Sequence, residues 1–120
     1  MNEFHYDKAS LPRDVRNAPD LRNALRMYID KRLLHVSDVC LQHNEDRFRK
    51  EYGLIHKRYA NTLTLVVEAT QDVEYLTKSV IEWINEDFND AITGAQKGAA
   101  GICGAELLKI VESYESRRSG

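Results

Sequence analysis

Apolar residues recur along most of this chain at intervals of three and four, the spacing that lines up one face of a helix. The first series is Leu21, Leu25, Tyr28, Ile29, Leu33, Val36, Val39 and Cys40, with Arg32 falling in the same register. It predicts an amphipathic helix ending at Leu41, with Asn17 as its cap, Pro19 in the first turn and Asp20 beside the positive end of the dipole. Asn44, Glu45 and Asp46 mark the next start, followed by Phe48, Tyr52, Ile55, Tyr59, Leu63, Val66, Val67, Thr70 and Val73 as the inward series. Gly53 interrupts that series and marks a weak point, a kink or a break. The run TLTLVVEAT at 62–70 has the β-branched composition of a strand. No second run of that kind is present to pair with it, so its backbone groups would be left unsatisfied, and helix is the prediction.

Residues 72–88, DVEYLTKSVIEWINEDF, place Val73, Leu76, Val80, Ile81, Ile84 and Phe88 on one side and Trp83 off that stripe. A last helix is expected from Asp90 to Tyr114, with 115–120 as a frayed polar tail. Both prolines lie in the first twenty residues, and Pro12 stands near the start of a short turn or one-turn helix within an N-terminal arm, 1–16. The expected architecture is all-α: one domain over 1–120, a bundle of three to four substantial helices with a short N-terminal turn or helix.

Composition narrows the class further. With 42% hydrophobic and 30% charged residues the chain reads as globular rather than disordered. A formal net charge of −2 argues against a nucleic-acid partner. No apolar run is long enough to span a bilayer, and MNEFHYDKAS lacks the basic start and apolar centre of a signal peptide, so no membrane role is expected. Two isolated cysteines, Cys40 and Cys103, suit reduced buried thiols and a cytoplasmic setting. Charge is uneven: residues 68–90 hold seven acids against Lys78 alone, while residues 1–60 hold twelve bases and nine acids. The acidic segment either faces water or packs beside the basic half, or it offers Asp72, Glu86 and Asp87 to a basic partner, with Trp83 as an aromatic anchor or as core.

Catalytic chemistry finds few footholds. The four histidines fall in no HExxH or Glu-x-x-His pattern and the cysteines have no CxxC partner, so no metal and no cofactor are expected. Ala69 stands where the acidic repeats of helical nucleotide pyrophosphatases would need a glutamate. No Ser/His/Asp or Cys/His pairing is apparent. The segment from Arg49 to His56, RKEYGLIH, resembles the Arg-x4–6-His motif of HEPN ribonucleases, which are small dimeric helical bundles. That resemblance implies His56 as acid or base and Arg49 at the phosphorane, with Lys57 and Arg58 holding phosphate. It is loose in spacing and contains a glycine where the family has continuous helix.

KGAAGICGAELLKI resembles part of a histidine-containing phosphotransfer domain, with Lys97, Gly98, Ala99, Ala100, Gly104 and Ala105 on the pattern. The phosphoacceptor place holds Gly94, which has no nucleophile, so the resemblance implies at most a decoy that docks a two-component partner. Independently of any family, Gly94, Gly98, Gly101 and Ala105 share one helix face, with Lys97 beside it, Leu108 at its end and Gly104 just off it. Each glycine costs a helix about 0.8–1 kcal/mol relative to alanine, and a face without bulk admits another helix closely. That helix lies within the bundle, on a second copy or on a partner. The expectation is a non-catalytic helical protein acting through protein–protein contacts, as a homo-oligomer, a regulator or an inhibitor of a larger protein.

Overall fold

The computed structural model describes residues 13–42, 45–88 and 93–119. Most of the 1–16 arm, the Asn44 start and the Asp90 start lie outside them, as do the side chains of Val73, Asp87 and Phe88. In order, the elements are α1 (Arg13–Arg16), α2 (Leu21–Tyr28), a π-helical turn (Ile29–Leu33), α3 (Leu34–Leu41), α4 (Arg47–Ala69), α5 (Val73–Trp83), a second π-helical turn (Ile84–Phe88) and α6 (Gly94–Ser119). The described residues contain no strand, and the fold is an all-α bundle. The β-branched stretch 62–69 belongs to α4, where Leu63 and Val67 are fully buried. Tertiary packing overrides strand propensity there. Helix geometry in α6 continues to Ser119, through most of the expected tail.

Caps explain where the helices begin, and at α2 they correct the sequence reading. The cap of α2 is Asp20, not Asn17: its carboxylate accepts from Asn23 N at 2.8 Å. Asp46 caps α4 by accepting from Phe48 N and Arg49 N, and Asp72 caps α5 by accepting from Glu74 N. Thr93 and Gln96 form a capping box at the start of α6: Gln96 N donates to Thr93 Oγ1 at 3.1 Å and Thr93 N donates to Gln96 Oε1 at 3.2 Å. The end of α4 is closed from outside, as Arg22 donates to the carbonyls of Val67, Thr70 and Gln71. A cation at a helix C-terminus satisfies orphan carbonyls and meets the negative end of the dipole.

The π-helical turn at Ile29–Leu33 has a consequence for the face that follows. A π turn takes up an extra residue, so positions downstream rotate relative to a regular helix. Val39, expected inside, is 37% exposed, while Ser37 is fully buried beside Val36 and Cys40. Gly53 also differs from expectation. The helix passes through it without a break, and a Cβ there would stand 3.0 Å from Cys40 Cβ and 3.1 Å from Leu41 Cγ. The glycine lets α3 and α4 approach closely. Its helix cost, about 1 kcal/mol, is offset by that packing.

The core is assembled from Leu25, Tyr28 and Leu33 in the first helical stretch, Tyr59 and Leu63 in α4, Leu76 and Val80 in α5, and Leu107 with Ile110 in α6. Each large side chain buried this way contributes about 1.5–3 kcal/mol. Phe48, placed inward by its register, is instead half-exposed near the start of α4. No helix among the described residues is long and apolar enough to cross a membrane.

Candidate functional site

The small residues of α6 divide between two faces. Ala95, Ala99, Ala100, Cys103 and Gly104 are buried and run into Leu107, Ile110 and Tyr114. That side lies against the bundle, and Tyr114 OH reaches the carbonyls of Ala18 at 2.7 Å and Val15 at 3.1 Å. Gly94, Lys97, Gly101 and Ala105 are exposed, Gly98 is half-buried, and Leu108 on the same side is 39% exposed. Among the described residues nothing lies within 4 Å of where a Cβ would stand at Gly94 or Gly101. At Gly98 the nearest atom is Tyr52 Cε1, at an ordinary 3.8 Å. Packing among the described residues therefore does not account for Gly94 and Gly101, whereas Gly53 is in the close contact that a glycine permits.

The acidic segment divides in the same way. Asp72, Glu74, Glu82 and Glu86 are exposed, and Glu68 pairs with Arg26 at 3.0 Å. Trp83 is only 7% exposed and meets Tyr59 edge-on, ring centroids 5.8 Å apart. It is a core residue and is withdrawn from the surface that Asp72 and Glu86 occupy. The reason is geometric: Trp83 follows Val80 by three residues and so shares the inward side of α5.

Arg49 and His56 do not form a cleft. Arg49 lies 3.8 Å from Asp46, and His56 is fully buried. The ring sits between Tyr52 and Tyr59, its centroid 4.5 Å from that of Tyr52. His56 Nδ1 is 2.9 Å from the Tyr52 carbonyl, which can only accept, so the proton is on Nδ1 and Nε2 is left as an acceptor. Cys103 Sγ lies 3.6 Å from that Nε2, and the thiol donates to it. Burial lowers the His56 pKa to about 4, against a smaller opposing effect from the Tyr52 hydrogen bond, while nearby Arg32 lowers it further. A neutral ring enclosed in the core touches no phosphate in this conformation, and the nuclease roles assigned to His56 are not available to it.

Sequence spacing gave no sign of the Cys103–His56 pair, whose members are 47 residues apart. Beside it lies a second buried polar contact: Arg32 Nη2 meets Glu106 Oε2 at 3.1 Å, and Tyr28 OH donates to Glu106 Oε1 at 2.8 Å. Burial raises the Glu106 pKa, while the Tyr28 hydrogen bond and the Arg32 charge oppose that rise. The one legible hint was Arg32 itself, a charge standing in an apolar series. Burial also pushes the Cys40 thiol up to about 11, which makes it a poor nucleophile near neutral pH. These groups tie α2, α4 and α6 together inside the bundle and present no reactive atom to solvent. Among the described residues no group of three or more His, Cys, Asp or Glu side chains is placed to hold a metal ion.

Compared with protein-family models, with curated protein sequences and with solved structures, the chain finds no match, so its function has to be argued from these surfaces.

Proposed function

We propose that this protein is a non-catalytic helical module of the cytoplasm that works by binding protein, first of all a second copy of itself, through the solvent face of α6. The observation that carries the reading is the open space at Gly94 and Gly101. Gly101 costs this helix about 1 kcal/mol relative to alanine, with a smaller addition from Gly94 at the first helical position, and no described residue uses the room they leave. A second α6 laid across them would use it. Leu108, exposed on the same face, is the apolar side chain such a neighbour would cover. An interface of this kind is self-complementary about a two-fold axis.

Sedimentation velocity across a concentration series tests this on the intact chain, comparing wild type with Gly101→Leu. A Cβ at 101 meets no described residue, and leucine replaces a poor helix former with a good one, so the variant should fold with undiminished helicity. At about 0.5 M salt, which screens charge-dependent contacts elsewhere on the surface, concentration-dependent dimerisation in wild type and its loss in Gly101→Leu are the expected results. A wild type that stays monomeric throughout, or a variant that dimerises as well as the parent, refutes the assignment.

A further inference from the structure

A second surface lies on α4, on residues that neither the core nor the α6 face employs. Between Arg47 and Leu65 the exposed residues of α4 are Arg47, Phe48, Lys50, Leu54, Lys57, Arg58, Asn61, Thr64 and Leu65, and none is acidic. Leu54 is 51% and Leu65 70% exposed, and with Arg58 and Asn61 they follow the spacing of a single helix stripe. Arg47, Lys50, Lys57 and Arg58 form no ion pair among the described residues. A helix face that combines uncompensated cations with large exposed apolar side chains is unlike an ordinary solvated face, which mixes both charge signs.

The complementary surface is on the same chain. The exposed side of α5 and the turn after it carries Glu74, Tyr75, Lys78, Glu82 and Glu86, with Tyr75 63% exposed. It has the opposite balance of charge and an aromatic side chain standing in solvent. Lys50 and Arg58 are eight residues apart, as are Glu74 and Glu82, so both pairs span about 12 Å along their helices. Two helices laid alongside one another can therefore bring both acids to both bases.

We infer that α4 of one copy docks along α5 of a second copy, the Lys50, Lys57 and Arg58 face against the Glu74, Glu82 and Glu86 face, with Leu54, Leu65 and Tyr75 providing apolar contact. This contact is separate from the α6 face and survives or fails independently of it. Its energetics are also different: charges near a solvent-exposed interface are screened by salt, whereas close packing over glycine is not.

The experiment is run in the Gly101→Leu background, which removes the α6 contact from the measurement. Two charge-reversed chains are made, Lys57→Glu with Arg58→Glu, and Glu82→Lys with Glu86→Lys. All four positions are exposed, so each chain should keep its fold, and circular dichroism verifies that. Sedimentation velocity should show self-association of the parent that weakens ~10-fold or more as ionic strength rises from about 0.05 to about 0.5 M. Each reversed chain alone should lose association to the same degree, because like charges are then opposed. Mixing the two reversed chains should restore it as a heterodimer. Association that ignores both salt and charge reversal overturns the inference. So does loss in the α4 variant with none in the α5 variant, which would mean that α4 meets a surface of the second copy other than α5. A mixture of the two reversed chains that stays unassociated overturns it as well.

Discussion

Acidification should unfold this protein through His56, and the size of the effect follows from where the ring lies. The folded chain holds His56 at about 4, and the unfolded chain returns it to 6.5. Between those values the unfolded state binds a proton that the folded state refuses. Stability therefore falls as pH falls through 6.5 towards 4, is fully present above about pH 7, and has no further His56 component below the folded value. Going from about pH 7.5 to about pH 5, the loss is about 2 kcal/mol, rising to about 3 kcal/mol near pH 4. The neighbouring Glu106 has the opposite sign. Its folded pKa is raised, so its contribution favours folding below the ordinary carboxyl value of 4.5 and declines as pH rises. The test must therefore be differential. Urea denaturation of wild type and His56→Phe, followed by the fluorescence of Trp83 (the only tryptophan), leaves Glu106 common to both. Phe preserves a ring between Tyr52 and Tyr59 but cannot titrate. The variant should lose some stability at neutral pH and show a pH dependence about 2 kcal/mol shallower between about pH 7.5 and about pH 5. An unchanged slope would mean that His56 is protonated in the fold or reaches solvent, and would refute the buried-neutral description.

Three further outcomes are expected from the packing. Gly53→Ala should destabilise by about 1 kcal/mol or more, since its Cβ meets Cys40 at 3.0 Å, whereas Gly94→Ala, in open space, should stabilise by up to about 1 kcal/mol; thermal melts read both. Glu106→Ala removes the carboxylate that faces the buried Arg32 guanidinium and should cost about 3–5 kcal/mol by guanidinium denaturation, with the added change Arg32→Met recovering much of that. Arg22→Met removes the donors that close α4 and should cost about 2 kcal/mol, seen as faster amide exchange in the last turn of α4.

How far the sequence could be read depended on whether the decisive contact was local. Helix periodicity is local, so the all-α class and the inward residues Leu25, Tyr28, Tyr59, Leu63 and Val80 were legible. Caps were legible as a type but not always as a residue: Asn17 and Asp20 are equally good cap formers, and the backbone at Asp20 took the role. The π-helical turn was not legible, because an extra residue in a turn is set by what the downstream face must meet. That is why Val39 and Ser37 exchanged places. For the candidate surfaces, the chain showed that Gly94, Gly98, Gly101 and Ala105 share a face, and not what lies opposite that face. It also left Trp83 open between a contact surface and the core, and the buried position puts it in the core.

The amino-acid order by itself determined the class of structure, the approximate extent of each helix and the imbalance of charge between α4 and α5. These are properties of residues near one another in the chain, and helical periodicity reads them directly. Only the tertiary structure decided that Gly53 permits a close approach while Gly94 and Gly101 meet no described residue, and that His56 is enclosed in the core against Cys103. It also decided that Arg32 is balanced by Glu106. Each of those contacts joins different helices, and their pairing is settled by how whole faces fit together, which no local pattern encodes.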